Sequence, residues 1–318
     1  MTSVPDASES LPTRAQLPSP MPTEIVPLYT ATHTIEPTIT ALPSKTPSNT
    51  PTITPTFVET LTPTSFAVLI DVATPSPTPI AITRTPLPSS FIFGQSVQGR
   101  DLQAYRYGVG EHWIMLVGGI HAGFEANTIS LMERLRIEWQ NNTREILPDV
   151  SFIIIPSLNP DGATRGRILE GRFNGNNVDL NRNWGCGWED SAEYSQGPVD
   201  PGFAPFDQPE TAALAALIRD VQPDAVMFYH SAANGIFPGT CGEDRELSLP
   251  LSQVYGQASG YPYEGTGFTA YRVTGSAPAW VNSIGIPSLD IELATADGIE
   301  FERNLRALQA VQRWVASR

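Results

Sequence analysis

His121 and Glu125 stand four residues apart in the stretch Gly118-Gly-Ile-His-Ala-Gly-Phe-Glu-Ala-Asn-Thr128. It follows the apolar run Trp113-Ile-Met-Leu-Val117, so a strand is expected to deliver both side chains to one short loop and the first turn of a helix. A histidine and a carboxylate turned toward one point suit a metal ion. A hydrolytic Zn(II) site takes three N or O protein ligands and leaves a position for water. The third ligand has few sources, because the chain holds four histidines, at 33, 112, 121 and 230, and two cysteines, at 186 and 241. His230 ends a second apolar run, Ala225-Val-Met-Phe-Tyr229, as His121 follows the first. In open α/β sheets ligands gather at the carboxyl ends of strands, which places both histidines on one rim.

The elements that must position these residues begin near Phe91. Gly94–Arg100 reads as a turn and Leu102–Tyr107 as an edge strand. Ile129, Met132, Leu135 and Trp139 mark one face of a helix after the metal loop. Val150-Ser-Phe-Ile-Ile-Ile155 reads as a buried strand. Asp207 and Glu210 have the spacing of a capping box at the start of a helix continued by Leu214, Leu217, Ile218 and Val221. Ser288-Leu-Asp-Ile-Glu-Leu293 alternates as a strand does, and Leu305, Leu308, Val311 and Val315 give a closing helix. Short apolar strands alternating with amphipathic helices imply an α/β fold, a mixed, mostly parallel central sheet with helices on both faces.

Residues 1–90 differ in kind from the catalytic domain expected over 91–318. They hold about 17 of the 30 prolines and about 20 threonines, too little apolar surface to offset the entropy of ordering. A disordered Thr/Pro-rich stalk or linker is expected, whether plain spacer or glycosylated, without the compact fold of an inhibitory pro-segment. Its longest apolar patch, Phe66–Ile70, is far below the ~20 residues of a membrane span, so no transmembrane segment is expected. The first residues show no signal sequence; a secreted or cell-surface location follows from the stalk alone.

Net charge is -14, and no basic face is visible, which argues against nucleic acid and anionic membranes as partners. Lys45, in the stalk, is the only lysine. P-loop, Schiff-base and Ser-Lys chemistry are therefore excluded from the remainder.

The chain resembles the M14 (carboxypeptidase A-like) family of zinc carboxypeptidases over roughly residues 91–318. Beside the histidine–glutamate loop, the resemblance is carried in order by Asn159-Pro-Asp-Gly162, Arg172-Phe-Asn174, Val178-Asp-Leu-Asn-Arg-Asn183 and Gln208-Pro-Glu-Thr211. It continues through His230-Ser231, Tyr271 ahead of Thr274-Gly-Ser276, and Glu292. One departure is the three residues between His121 and Glu125, where many members have two.

The resemblance implies one Zn(II) per chain held by His121, Glu125 and His230, with Glu292 as general base and Arg172 as the arginine that polarises the scissile carbonyl. Arg165 and Arg167 compete with Arg172 for that role. Asn181 and Arg182 would hold the substrate's terminal carboxylate, Tyr271 would close over it, and Ser231 and Ala277 would contribute to substrate binding. His112 is read as a surface or packed histidine, and the Asn159–Gly162 turn as shape only. Fixed guanidinium groups suit both arginine roles, one facing a developing oxyanion and one a carboxylate.

The implied substrate is a peptide with a free C-terminal carboxylate, and the enzyme a monomer. Ala277, Pro278 and Ala279, which follow Ser276, suggest release of neutral, apolar or aromatic residues. Two other hydrolyses fit the same site, trimming of peptidoglycan stem peptides and deacylation of N-acyl amino acids. An inactive surface-displayed binding module is a reading of another class. Cys186 and Cys241 leave the same rim after Arg182 and His230, and a disulfide between them is expected, the alternative being two separate buried thiols.

Overall fold

A computed structural model describes residues 87–242, 246–263, 268 and 270–318. The stalk expected over residues 1–90 lies outside the described residues except for 87–90, and His33 lies outside with it.

Seven strands form one sheet: β1 (Ser90–Gln95), β2 (Asp101–Gly108), β3 (His112–Val117), β4 (Val150–Ile155), β7 (Ala225–Ser231), β8 (Gly235–Pro238) and β9 (Ser288–Leu293). A separate hairpin is made by β5 (Ala192–Tyr194) and β6 (Gly197–Val199). The helices are α1 (Ala126–Asn141), α2 (Pro160–Ala163), α3 (Pro209–Val221), α4 (Leu249–Ser259), α5 (Ala277–Ser283) and α6 (Phe301–Val315). The sheet order is β1-β2-β4-β3-β7-β9-β8. The inner four strands, β4, β3, β7 and β9, are mutually parallel, whereas β1, β2 and β8 join antiparallel at the flanks. This is the expected mixed sheet, with one difference: β2 is not an edge, because β1 pairs outside it.

Why the inner strands are apolar throughout follows from what covers them. On β3, Ile114 and Leu116 pack with Leu131, Met132, Leu135 and Trp139 of α1 and with Leu305, Leu308 and Val311 of α6. Trp113, Met115 and Val117, pointing the other way by the two-residue period of a strand, pack with Leu214 and Ile218 of α3 and Trp280 and Val281 of α5. A parallel strand needs helices on both faces, so it loses the polar alternation that an exposed face would impose.

The expected capping box at α3 is not formed. Gln208 is the N-cap and makes no side-chain cap bond. Asp207 instead accepts from Phe203 N at 2.7 Å and Gln208 Nε2 at 2.8 Å, while Glu210 accepts from Val97 N at 3.0 Å and Asn174 Nδ2 at 3.1 Å. Fully buried Glu210 thus ties the turn after β1 to the interior, and Asp207 folds its own loop. Asn159 caps the short α2 through Gly162 N at 2.8 Å, and its amide donates to the Arg172 carbonyl at 3.2 Å. That turn is shape, as expected, but shape that places Arg172.

Two close approaches require glycine. Gly119 has φ +58°, and a Cβ on Gly123 would come within 2.5 Å of the Gly166 carbonyl oxygen. The loop carrying His121 and Glu125 is thereby pressed against the one leading to Arg172. No helix among the described residues is long and apolar enough to cross a membrane.

Cys186 and Cys241 are disulfide-bonded, with Cα atoms 5.9 Å apart, and close a loop of 55 residues. On the chain-entropy model such a closure stabilises by about 4 kcal/mol. Replacing both cysteines by serine should lower the denaturant-measured unfolding free energy by about that amount. Unreduced digests of the parent should hold the linked peptides; two alkylatable thiols in protein purified without reductant would contradict the bridge.

Candidate metal centre and active site

The carboxyl ends of the four parallel strands converge. His121 lies four residues past β3, Asn159 four past β4, His230 within the last turn of pairing on β7, and Glu292 opposite His230 on β9. Neighbouring strands are about 4.8 Å apart, so the sheet itself sets the spacing of the groups it delivers. Glu125 is the N-cap residue of α1, which turns its side chain back over the rim.

His121 Nδ1 lies 2.8 Å from Glu125 Oε1 and 3.2 Å from His230 Nδ1. His230 Nδ1 is 3.2 Å from Glu125 Oε2. The far nitrogen of each ring meets an aspartate, Asp179 Oδ1 at 3.3 Å for His121 Nε2 and Asp290 Oδ1 at 3.1 Å for His230 Nε2. An acid on Nε2 fixes the proton there and leaves Nδ1 as a lone pair. Acceptors facing one another at these distances repel unless positive charge stands among them; Arg172 Nη1 borders the group, 3.2 Å from His121 Nδ1 and 3.7 Å from Glu125 Oε1, and a metal ion would supply the charge at its centre.

Buried charge makes the same point. Burial pushes the Glu125 carboxyl up, but the imidazoles of His121 and His230 outweigh it and hold it below the usual carboxylate range. Burial pushes His230 down, yet the Asp290 and Glu125 carboxylates raise it well above the usual imidazole range. The pocket therefore draws positive charge to its centre. Among the described residues, His121, Glu125 and His230 are the one group of three whose ligating atoms all lie within 4.8 Å of one another. Two imidazoles and a carboxylate whose ligating atoms converge in this way are a donor set that fits zinc.

The arginines are placed by short turns. Arg172 ends the 3-10 turn Leu169–Arg172 and is almost fully buried. Its Nε donates to Asp179 Oδ2 at 2.8 Å, its Nη1 lies 3.2 Å from His121 Nδ1, its guanidinium lies 4.1 Å from the Tyr194 ring centroid, and among the described residues its Nη2 has no hydrogen-bond partner. Burial pushes the Asp179 carboxyl up, but Arg172 and His121 hold it well below the usual range. A buried, unpartnered guanidinium N–H is costly, and it is a donor left ready for an oxygen that arrives later.

Arg182, in the turn Leu180–Arg182, donates Nε and Nη2 to the Glu193 carbonyl at 3.2 and 3.0 Å, and Nη1 to the Asn181 carbonyl at 2.7 Å. Of the five N–H groups of a guanidinium, these carbonyls leave a pair, which meets the Tyr271 hydroxyl. The Asn181 side-chain oxygen accepts from Ala277 N at 2.9 Å, which turns its Nδ2 toward His230 Nε2, 3.5 Å away.

Glu292 accepts from Ala233 N at 3.1 Å, and burial pushes its carboxyl up to about 7, with Glu125 adding to the rise and His230 opposing it. Burial also pushes the Tyr271 phenol up, to about 12, against the pull of Arg172 and Arg182. Its ring stands edge-on to Tyr194 and Phe268.

A single cavity of about 600 Å³ is lined by His121, Glu125, His230, Arg172, Asn181, Arg182, Tyr271, Glu292 and Ser231. Ala277 is fully buried behind the wall and acts there by holding Asn181. Ser231 donates to Asn127 Oδ1 at 2.9 Å, while its backbone N–H donates to Glu125 Oε2 at 3.3 Å. Arg165 and Arg167 are engaged outside, with Asn177 and Asp297, and His112 faces Asp224 at 3.6 Å. The sequence reading missed three contributors. Asp179 was signalled by its place directly before Leu180-Asn181-Arg182. Tyr194 has no spacing signal. Asp290 carries no signal beyond the alternation of β9, which a solvent-facing residue would share.

Residues 84–309 match the family model described as zinc carboxypeptidase. Murein peptide amidase A of Escherichia coli is 28% identical over 211 residues, covering 63% of this chain and 79% of that protein. An inactive metallocarboxypeptidase of Talaromyces stipitatus is 28% identical over 149 residues, 38% of this chain and 25% of its own. Among solved structures, bovine thrombin-activatable fibrinolysis inhibitor in complex with tick carboxypeptidase inhibitor superposes with a TM-score of 0.61 at 21% identity. That match covers 72% of this chain and 90% of the other.

Purified protein is expected to hold one zinc per chain by elemental analysis. His230→Ala should reduce this to background while leaving the fold intact by circular dichroism; a His230→Ala protein that keeps stoichiometric zinc would contradict the donor set.

Proposed function

The chain belongs to the zinc carboxypeptidase family, and from that premise we propose that it is a zinc-dependent carboxypeptidase that hydrolyses the last peptide bond of a substrate with a free terminal carboxylate. The observation that carries this reading is the sharing of one cavity by two guanidinium groups and the metal trio. One arginine is available to a fixed carboxylate and one to a changing carbonyl.

In this proposal Arg182 receives the terminal carboxylate on the N–H pair that its carbonyl partners leave, and Asn181 Nδ2 adds a further donor. A planar, permanently charged fork recognises a carboxylate bidentately and fixes its orientation. The scissile carbonyl then lies beside Arg172 Nη2. Negative charge growing on that oxygen finds a donor that is already buried and needs no reorganisation.

Zinc held by His121, Glu125 and His230 would polarise the carbonyl and lower the pKa of bound water to roughly 7. Glu292, titrating in the same range, takes the proton of the attacking water at its carboxylate. It returns that proton to the departing amine nitrogen, as a matched pKa favours. Tyr271 stays protonated across physiological pH and caps the carboxylate end of the cavity, where water would otherwise compete for Arg182.

A second reading is favoured by one observation: the relative aligned over most of its own length is a murein peptide amidase. A murein stem peptide also ends in a free carboxylate, so the same cavity serves both substrates, and the bond cleaved separates them.

Glu292→Gln should keep its zinc and lose turnover by about a hundredfold or more, the usual weight of a positioned general base. Full activity in that variant would remove Glu292 from the reaction. Blocked peptides with a free C-terminus should be cleaved and their C-terminal amides spared. Hydrolysis of a murein tripeptide with no hydrolysis of ordinary peptides would select the second reading.

A further inference from the structure

The base of the proposed reaction is not one of the metal trio, so a metal ion would not fix its place. β7 and β9 hold His230 opposite Glu292, but their pairing ends one residue later, at Ser231 and Leu293. Past that point the chain leaves β7 through residues 232–234 and returns as β8 on the other side of β9, where Gly235 also stands opposite Glu292. This link touches both carboxylates of the site. Ser231 N donates to Glu125 Oε2 at 3.3 Å, and Ala233 N donates to Glu292 Oε2 at 3.1 Å. Where the link sits therefore decides how the carboxylate of the base faces the metal trio.

One buried amide pins the link. Asn127 lies in the first turn of α1, two residues past Glu125, and is 5% exposed. Its Oδ1 accepts from Ser231 Oγ at 2.9 Å, at the exit of β7. Its Nδ2 donates to the Thr295 and Gly298 carbonyls, each at 2.9 Å, in the loop that leaves β9 after Leu293. Two carbonyl oxygens can face only the nitrogen of an amide, so the hydrogen-bond pattern fixes which way the side chain is turned. Both donor hydrogens are spent on one strand exit and the acceptor on the other.

Other ties to the same loop are weaker or reach one strand alone. Arg167 donates to the Ala296 carbonyl at 3.0 Å and to Asp297 Oδ1 at 2.6 Å, but in solvent, where such pairs contribute little. Glu300 Oε1 accepts from Ala294 N at 2.9 Å, which holds the exit of β9 without touching that of β7. Asn127 reaches both, from the helix whose N-cap residue is Glu125.

We infer that Asn127, acting through Ser231, is a positioning residue for the reaction. It holds the link that hydrogen-bonds Glu292, and so keeps that carboxylate aimed to take the proton of the attacking water and return it to the departing amine nitrogen. The inference rests on the reading of Glu292 as general base. A misplacement of about 1 Å can cost about a hundredfold in turnover, so the loss on releasing the link falls on kcat. The terminal carboxylate is received by Asn181 and Arg182 on another segment, and KM moves little.

The test uses zinc-loaded full chain and whichever the parent cleaves better, a blocked peptide or a murein tripeptide. Asn127→Ala and Ser231→Ala should each lower kcat by about tenfold or more, keep KM within about threefold of the parent's, and retain one zinc per chain by elemental analysis. Introduced into Glu292→Gln, either change should add little to the loss that variant already shows, because a side chain that cannot take the proton gains nothing from being well aimed. A merely structural role would lower kcat by the same factor in both backgrounds and would overturn the inference, as would loss of zinc. Should Asn127→Ala fail to fold, Ser231→Ala carries the same comparisons, since it removes one hydroxyl and leaves the amide with both its carbonyl partners.

The outcomes separate this inference from the reading beneath it. Full kcat in Glu292→Gln, or a zinc-loaded parent that cleaves neither substrate, would overturn the base reading and this inference with it. A Glu292→Gln variant that loses turnover, beside Asn127→Ala and Ser231→Ala variants that keep theirs, would overturn this inference alone.

Discussion

Two imidazole nitrogens 3.2 Å apart, each also within 3.2 Å of one carboxylate, are the contact on which the rest of the structure depends. Acceptors crowded in this way are unfavourable in a buried pocket unless positive charge stands among them; Arg172 supplies some at the edge, 3.2 Å from His121 Nδ1. The surroundings preserve the crowding. Asp179 and Asp290 sit on the far side of the two rings, and Arg172 holds Asp179 in turn. The outer groups fix the tautomers, and the tautomers leave the lone pairs that a metal would use.

Such an arrangement needs a backbone that does not yield. The four parallel strands end on one rim, and helices on both faces bury them so fully that little freedom remains at their ends. Loops add what the strands cannot reach. The hairpin β5–β6 offers the Glu193 carbonyl to Arg182 and the Tyr194 ring to Arg172, so one small element braces both guanidinium groups. Glu189 pairs with Arg272 beside Tyr271, and the Cys186–Cys241 bridge joins two further loops of the cavity wall.

The sequence made the metal trio legible because strand-then-loop patterning is a local signal. Trp113–Val117 and Ala225–Tyr229 are apolar because both faces are covered, and a histidine at the end of each stands out. The sheet and its covering helices could be read for the same reason. What depends on contacts between distant segments was not legible. Asp207 and Glu210 have capping-box spacing, yet Glu210 is drawn to Val97 and Asn174, and no local rule foresees that. Ala277 was expected at the substrate and is a buried support. Asp290 alternates with apolar neighbours as a solvent-facing residue does, and only the placement of β9 between β7 and β8 turns that face into the cavity.

The central claim is that the crowded donors exist to hold a metal ion. Anomalous diffraction from crystals of the zinc-loaded protein, recorded on either side of the zinc edge, tests it most directly. The account predicts one peak per chain, at about 2.0 to 2.2 Å from His121 Nδ1, His230 Nδ1 and a Glu125 oxygen. A peak bound through other atoms, or none at this position in protein that carries zinc, would contradict it.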